Sequence, residues 1–208
     1  MVNFFRQVSY AQIGSIIVYF LVAKHNGDGT IDEVINPNIK YFTGKETEII
    51  SPKDFSVSVK DLKPKKQYDN TLFPDIKVKN VSDKAIKVSD IKLKYFFTRD
   101  GNEHSTFECD WAGLNNKLIT SSVKGEFIND DSDNTTLNIS FEESNKVLNI
   151  GEELEIKFRI HDRNWNQYNK FNDYSYNTEE YSQTDKVSLY FRNDKIYGVD
   201  PNDSNIEP

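Results

Sequence analysis

The sequence predicts an all-β protein built as an antiparallel sandwich. Three observations predict it. From Phe55 onward, apolar residues alternate with polar ones at a period of two, in segment after segment. Turn signals such as Arg99-Asp100-Gly101-Asn102 and Asn149-Ile150-Gly151 separate the segments. No stretch between them carries a helical period, so neighbouring strands must return by short connections and pair antiparallel.

The chain opens differently. Residues 1–24 hold Arg6 and then a mostly apolar run over residues 10–23. As a helix that run would span about 21 Å, short of the roughly 30 Å of bilayer hydrocarbon. Residues 1–24 therefore read as a signal-like or membrane-anchor segment, with residues 10–23 as the point of membrane attachment; the alternative is an amphipathic or buried element of a folded protein. Residues 25–54 form a polar connector of unassigned role. Asn26-Gly27-Asp28-Gly29-Thr30 looks like part of an EF-hand loop, but Lys24 and Ile35 would stand at its first and twelfth ligand positions, so it reads as a turn.

Residues 55–203 carry the alternation. Phe55, Val57 and Val59 begin it. Ile76 and Val78 follow, then Ile91, Leu93, Tyr95 and Phe97, then Leu137, Ile139 and Phe141. The cleanest case is Leu154, Ile156, Phe158 and Ile160; Val187, Leu189 and Phe191 close the series. These residues should form the inner faces of two packed sheets. Residues 204–208 read as a tail.

Composition narrows the function. The net charge is −7 with both signs interspersed, which argues against nucleic acid as a partner. The single cysteine, Cys109, permits no internal disulfide and no cysteine-based zinc site; it reads as a small buried hydrophobe. Three histidines and no glycine-flanked nucleophilic serine, phosphate loop or His-x-x-x-His pair leave no catalytic motif. Acidic pairs such as Glu142-Glu143 and Glu152-Glu153 fall near strand ends, where solvated turns explain them. The chain is expected not to be an enzyme.

Residues 154–176 are the most informative. If Leu154, Ile156, Phe158 and Ile160 face the core, then Glu155, Lys157, Arg159 and His161 face outward. Trp165 follows in a polar loop. An indole and a guanidinium fork on one surface suit stacking and hydrogen bonding to sugar rings.

Several ordered stretches resemble family 3 carbohydrate-binding modules. They are Leu93-Lys94-Tyr95-Phe96-Phe97-Thr98-Arg99-Asp100-Gly101, Thr106-Phe107-Glu108-Cys109-Asp110-Trp111-Ala112-Gly113, Val123-Lys124-Gly125-Glu126-Phe127, Asn164-Trp165-Asn166-Gln167-Tyr168, Asn172-Asp173-Tyr174-Ser175-Tyr176 and Asp185-Lys186-Val187. The resemblance implies a jelly-roll sandwich of about nine strands with one structural calcium held around Thr98, Asp100, Asn169, Asn172 and Asp173. It also implies a flat strip, Asp110, Trp111, Arg159 and Trp165, that lies along crystalline cellulose or a related polysaccharide. A monomer at the cell surface or outside the cell is expected. Two other roles remain open: an extracellular polysaccharide-sensing domain of a membrane signalling system, and a helper module acting with a separate glycoside hydrolase. The sequence departs from the family in four places, the first being Lys60 to Thr71, where the polar anchoring residues usual near the first strands are not recognisable. The loop over residues 113–120 is short, and the tyrosine that often extends the strip has no counterpart there. Lys157 stands where glutamine is frequent, and Tyr197-Gly198 replaces a Trp-Gly.

Overall fold

The alternating segments become strands whose apolar sides meet. A computed structural model describes residues 4–13, 15–25, 31–35, 51–102, 104–115, 117–129, 133–142, 145–177, 180–201 and 203. The chain divides into two units, Met1–Ile49 and Ile50–Pro208.

In the first unit, β1 (Phe4–Ile13), β2 (Ser15–His25) and β3 (Ile31–Ile35) form an antiparallel sheet in that order. The run expected as a leader or anchor thus lies in β1 and β2, paired from Phe4 with Lys24 to Ile13 with Ser15. No helix of the described residues is long and apolar enough to cross a membrane. The residues of the EF-hand-like turn, and most of the connector, lie outside the described residues, as does the tail.

The second unit contains β4 (Phe55–Asp61), β5 (Tyr68–Asp69), β6 (Thr71–Leu72), β7 (Pro74–Asn80), β8 (Ile86–Lys87), β9 (Ile91–Thr98), β10 (Ser105–Leu114), β11 (Lys117–Leu118) and β12 (Val123–Asn129). It continues with β13 (Asn134–Phe141), β14 (Val147–Leu148), β15 (Glu153–Asp162), β16 (Tyr168–Asn169), β17 (Ser182–Gln183), β18 (Ser188–Phe191) and β19 (Asp194–Tyr197). One sheet has the order β11-β10-β15-β7-β4-β17, with β6 also on β15; the other has β12-β13-β9-β18-β19. Two short pairs, β14-β8 and β16-β5, trim the ends. Every strand pairing described is antiparallel, as short connections require.

All the inward residues expected from the alternation are buried, and they form one core with contributions from both sheets. Tyr95 of β9 meets Phe158 of β15 edge to face across the core, ring centroids 5.7 Å apart. Cys109 packs against this core, and burial pushes its thiol up to about 11. It is partly buried, not fully enclosed. With the core taking one side of β15, the opposite side of its sheet is left to solvent.

Candidate functional site

That outer face is ordered by the register of β10 on β15. Glu108 stands opposite Arg159, and Trp111 opposite Lys157. Between Cys109 and Trp111 the register slips, so Asp110 is a bulge residue with no partner of its own. The bulge lets two consecutive residues, Asp110 and Trp111, reach the outer face, while Cys109 keeps its inward position.

Arg159 uses both acids. Its Nε donates to Asp110 Oδ1 at 2.8 Å and Oδ2 at 3.0 Å, and its Nη2 lies 2.6 Å from Glu108 Oε2. Two carboxylates therefore fix the guanidinium orientation. All three side chains stay partly exposed, so the arrangement holds a shape more than it adds stability.

Trp165 sits at one end of this row. Its indole stacks on His161 with centroids 4.3 Å apart and planes 5° from parallel. His161 is covered by this stack, while Trp165 remains 53% exposed. The turn that presents Trp165 is built by Asp162, which is itself buried. Its Oδ2 accepts from Asn164 N at 2.7 Å and Asn166 Nδ2 at 3.2 Å, and its carbonyl accepts from Trp165 N at 3.0 Å. Trp165 has φ +59°, a conformation bulky residues rarely adopt.

Trp111 lies at the other side. A Cβ on Gly113 would fall 2.3 Å from both Cη2 and Cζ2 of Trp111, so the indole is laid across the bare glycine backbone. Lys157 Nζ stands 5.1 Å from the same ring. The four residues Asp110, Trp111, Arg159 and Trp165 thus share one face, with His161, Glu108 and Gly113 as their supports.

Beyond Trp111 the face is ionic. Lys157 Nζ lies 3.1 Å from Glu155 and 3.9 Å from Asp75. The Tyr181 hydroxyl lies 2.5 Å from Asp75 Oδ2 and 2.8 Å from Glu155 Oε1. One hydroxyl hydrogen can serve only one of them. Asp75 is fully buried, and its Oδ1 has no partner. Burial raises the Asp75 carboxyl above its ordinary range despite the Tyr181 hydrogen bond. Burial would raise Glu155 too, but its hydrogen bonds with Tyr181 and Lys157 outweigh that and hold it low. Lys60 and Lys77 lie 4.1 Å and 4.2 Å from the Tyr181 ring centroid.

The five residues expected around calcium also come together. Asp173 Oδ1 accepts from Thr98 N at 2.8 Å, and Thr98 Oγ1 lies 3.4 Å from the Asn172 carbonyl. Asp100 accepts from Asn169 N at 2.6 Å and Asn172 Nδ2 at 2.7 Å. Asp173 Oδ2 is buried without a partner, and burial pushes this carboxyl well up, with Asp100 adding to the effect. A buried orphan oxygen among carboxylate, hydroxyl and carbonyl oxygens fits a hard cation. The Asn169 side chain fits less well, because its Oδ1 already accepts from Gln67 Nε2 and Phe171 N.

Comparison with known proteins identifies the family. The family model described as a cellulose binding domain matches residues 54–198. The chain belongs to this cellulose-binding family. It is the family that the sequence motifs resemble. A relative, cellulosomal-scaffolding protein B of Acetivibrio thermocellus, is 34% identical over 145 residues, covering 65% of this chain and 18% of that protein. Exoglucanase-2 of Thermoclostridium stercorarium is 30% identical over 141 residues, covering 65% of this chain and 15% of the enzyme. The chain therefore spans less than a fifth of these relatives. Among solved structures, a family member with flanking linkers from the cellulosome scaffoldin of Clostridium thermocellum has a TM-score of 0.68 at 30% identity, covering 74% of this chain and 94% of that one.

Sequence reasoning named the four strip residues but not their supports. Of these, only His161 is read as an outward position on an alternating strand. Nothing in the sequence pointed to Asp162 as the turn builder, or to Tyr181, which lies in a segment without periodicity.

Proposed function

We propose that this chain is a non-catalytic module that adheres to crystalline cellulose or a related polysaccharide. The observation that carries the reading is the row of Trp165, the Arg159–Asp110 pair and Trp111 on one sheet face. Rings and a braced guanidinium plane would lie on the apolar faces of successive glucose units, and the surrounding polar groups would hydrogen-bond their hydroxyls. Steps of two residues along β15 are about 6.6 Å each, so the row from His161 to Lys157 runs about 13 Å. This length suits a few sugar units of an extended chain. A calcium ion at Thr98, Asp100, Asn172 and Asp173 would supply positive charge that neutralises the buried Asp173 carboxylate and its neighbour Asp100. Asn169 would contribute as part of that loop. Cellulose is an extracellular material, so a location outside the cell or at its surface goes with this reading.

Depletion assays with microcrystalline cellulose test it. Retention is expected for the native chain, and loss of retention for Trp165→Ala. A native chain that stays in solution with cellulose, chitin and plant wall alike would overturn the reading.

A polysaccharide-sensing role is the second reading. An anti-sigma-I factor of Acetivibrio thermocellus is 29% identical over 132 residues, covering 62% of this chain and 25% of that protein. Protease accessibility of both termini in intact cells separates the readings. A membrane-held chain with its second unit outside the cell supports sensing, and free release into the medium supports adhesion.

A further inference from the structure

We propose that the loop of residues 62–68, together with Phe171, forms a second ligand surface, for a glycan bearing uronate groups. The chain as a whole carries a net charge of −7, yet this loop reads Leu-Lys-Pro-Lys-Lys-Gln-Tyr, with three lysines and no acid. Lys63, Lys65 and Lys66 are all exposed. The flanking acids turn inward: Asp61 and Asp69 are buried. Asp61 is already matched by the buried ammonium of Lys170 at 3.1 Å, and Asp69 lies 3.6 Å from Lys66. What the loop shows to solvent is therefore cationic.

The loop is held in shape before any ligand arrives. Lys170 Nζ donates to the Lys63 carbonyl at 2.6 Å, and Tyr176 Oη donates to the Pro64 carbonyl at 2.8 Å. Lys170 N donates to the Gln67 carbonyl at 2.9 Å, and Lys63 N to Asp61 Oδ1 at 2.6 Å. Such fixing lowers the ordering cost of binding.

Two rings complete the surface. Tyr68 is 55% exposed and Phe171 54% exposed. Tyr68 pairs with Asn169 across β5 and β16, and Phe171 follows two residues later, packed on Tyr176 at 5.6 Å. Exposed rings beside exposed ammonium groups match a pyranose that carries a carboxylate: the ring stacks and the charge pairs. Three cations suit widely spaced carboxylates. Duplex nucleic acid, with a charge every 1.7 Å or so of axis, would meet the acidic remainder of the chain.

Affinity gel electrophoresis tests this with glucuronoxylan and with the same polymer after its carboxylates are reduced to alcohols. The native chain should be retarded by the acidic polymer and much less by the reduced one, and added salt should weaken the effect. Combining Lys63→Gln, Lys65→Gln and Lys66→Gln should lower the apparent affinity roughly fivefold, the sum of three exposed ion pairs. Phe171→Ala should weaken it as well, and both variants should keep native unfolding temperatures and native retention on cellulose. Equal retardation by the two polymers, or no change in the lysine variant, would overturn the proposal. So would binding to duplex DNA or phosphatidylserine vesicles as strong as to glucuronoxylan. Loss of cellulose retention in the native chain would bear on the sheet face and leave this result intact.

Discussion

The Trp165 indole lies flat on the His161 imidazole, 4.3 Å away and 5° from parallel. One face of the indole is thus spent on protein, and the other is free. Stacking on that free face would bury about half of the 150–250 Å² an enclosed aromatic buries, worth roughly 2–3 kcal/mol at about 25 cal/mol per Å². Trp165→Ala should therefore weaken adsorption to cellulose by roughly 30- to 150-fold. His161→Ala removes only the backing and should weaken it severalfold. Adsorption isotherms measure both.

Arg159 tests whether plane or charge matters. Lysine keeps the charge but cannot reach Asp110 and Glu108 together through a flat fork. Arg159→Lys is expected to lower cellulose affinity about tenfold with little change in unfolding temperature, since exposed ion pairs contribute little to stability. Near-native adsorption would mean that the charge alone suffices.

Gly113 is the seat of Trp111. A methyl group there would collide with the indole at 2.3 Å. Gly113→Ala should lift the ring off the sheet, blue- or red-shift its fluorescence and reduce adsorption, while far-UV circular dichroism keeps its β signature.

Asp75 predicts an unusual pH response. Its carboxyl is raised in the folded chain, chiefly by burial. The stability it contributes is present in full below the unfolded value and lost as pH rises through the folded one. Asp75→Asn cannot ionise and should escape that loss. Over the window from the ordinary carboxylate range up to the raised folded value, its unfolding temperature relative to the native chain should climb with pH. Glu155, held low, acts only below this window. A difference that stays constant across the window would show that Asp75 does not titrate there.

Calcium is expected to stabilise the fold by mass action. At a hundredfold excess over its dissociation constant it would add about 2.7 kcal/mol. For a domain of this size that is a rise of roughly 5–10 °C in Tm. Chelation should remove the rise, and Asp173→Ala should make Tm independent of calcium. Adsorption should fall too, because one continuous segment carries both Trp165 and the Asn172–Asp173 end of the cluster.

The sandwich was legible because β strands that bury one face write a period of two, and Leu154, Ile156, Phe158 and Ile160 do so without interruption. The same alternation correctly turned Arg159 outward. The supports were not legible, because they depend on register. Glu108 meets Arg159 only once β10 is set against β15, and Gly113 matters only once Trp111 lies across it. Tyr181 reaches Asp75 from 106 residues away along the chain. The first unit also escaped the length argument, which weighed its apolar run as a helix, whereas that run is paired as strands.

The surplus residue at Asp110 has a consequence for protein engineering. On an evenly pleated strand, neighbours point to opposite sides, so a designer copying only the side chains of this surface onto a regular sheet would turn either the carboxylate or the indole toward the interior. The irregular backbone has to be transplanted along with them, and deleting that single position would restore even pleating at the cost of the carboxylate that braces Arg159.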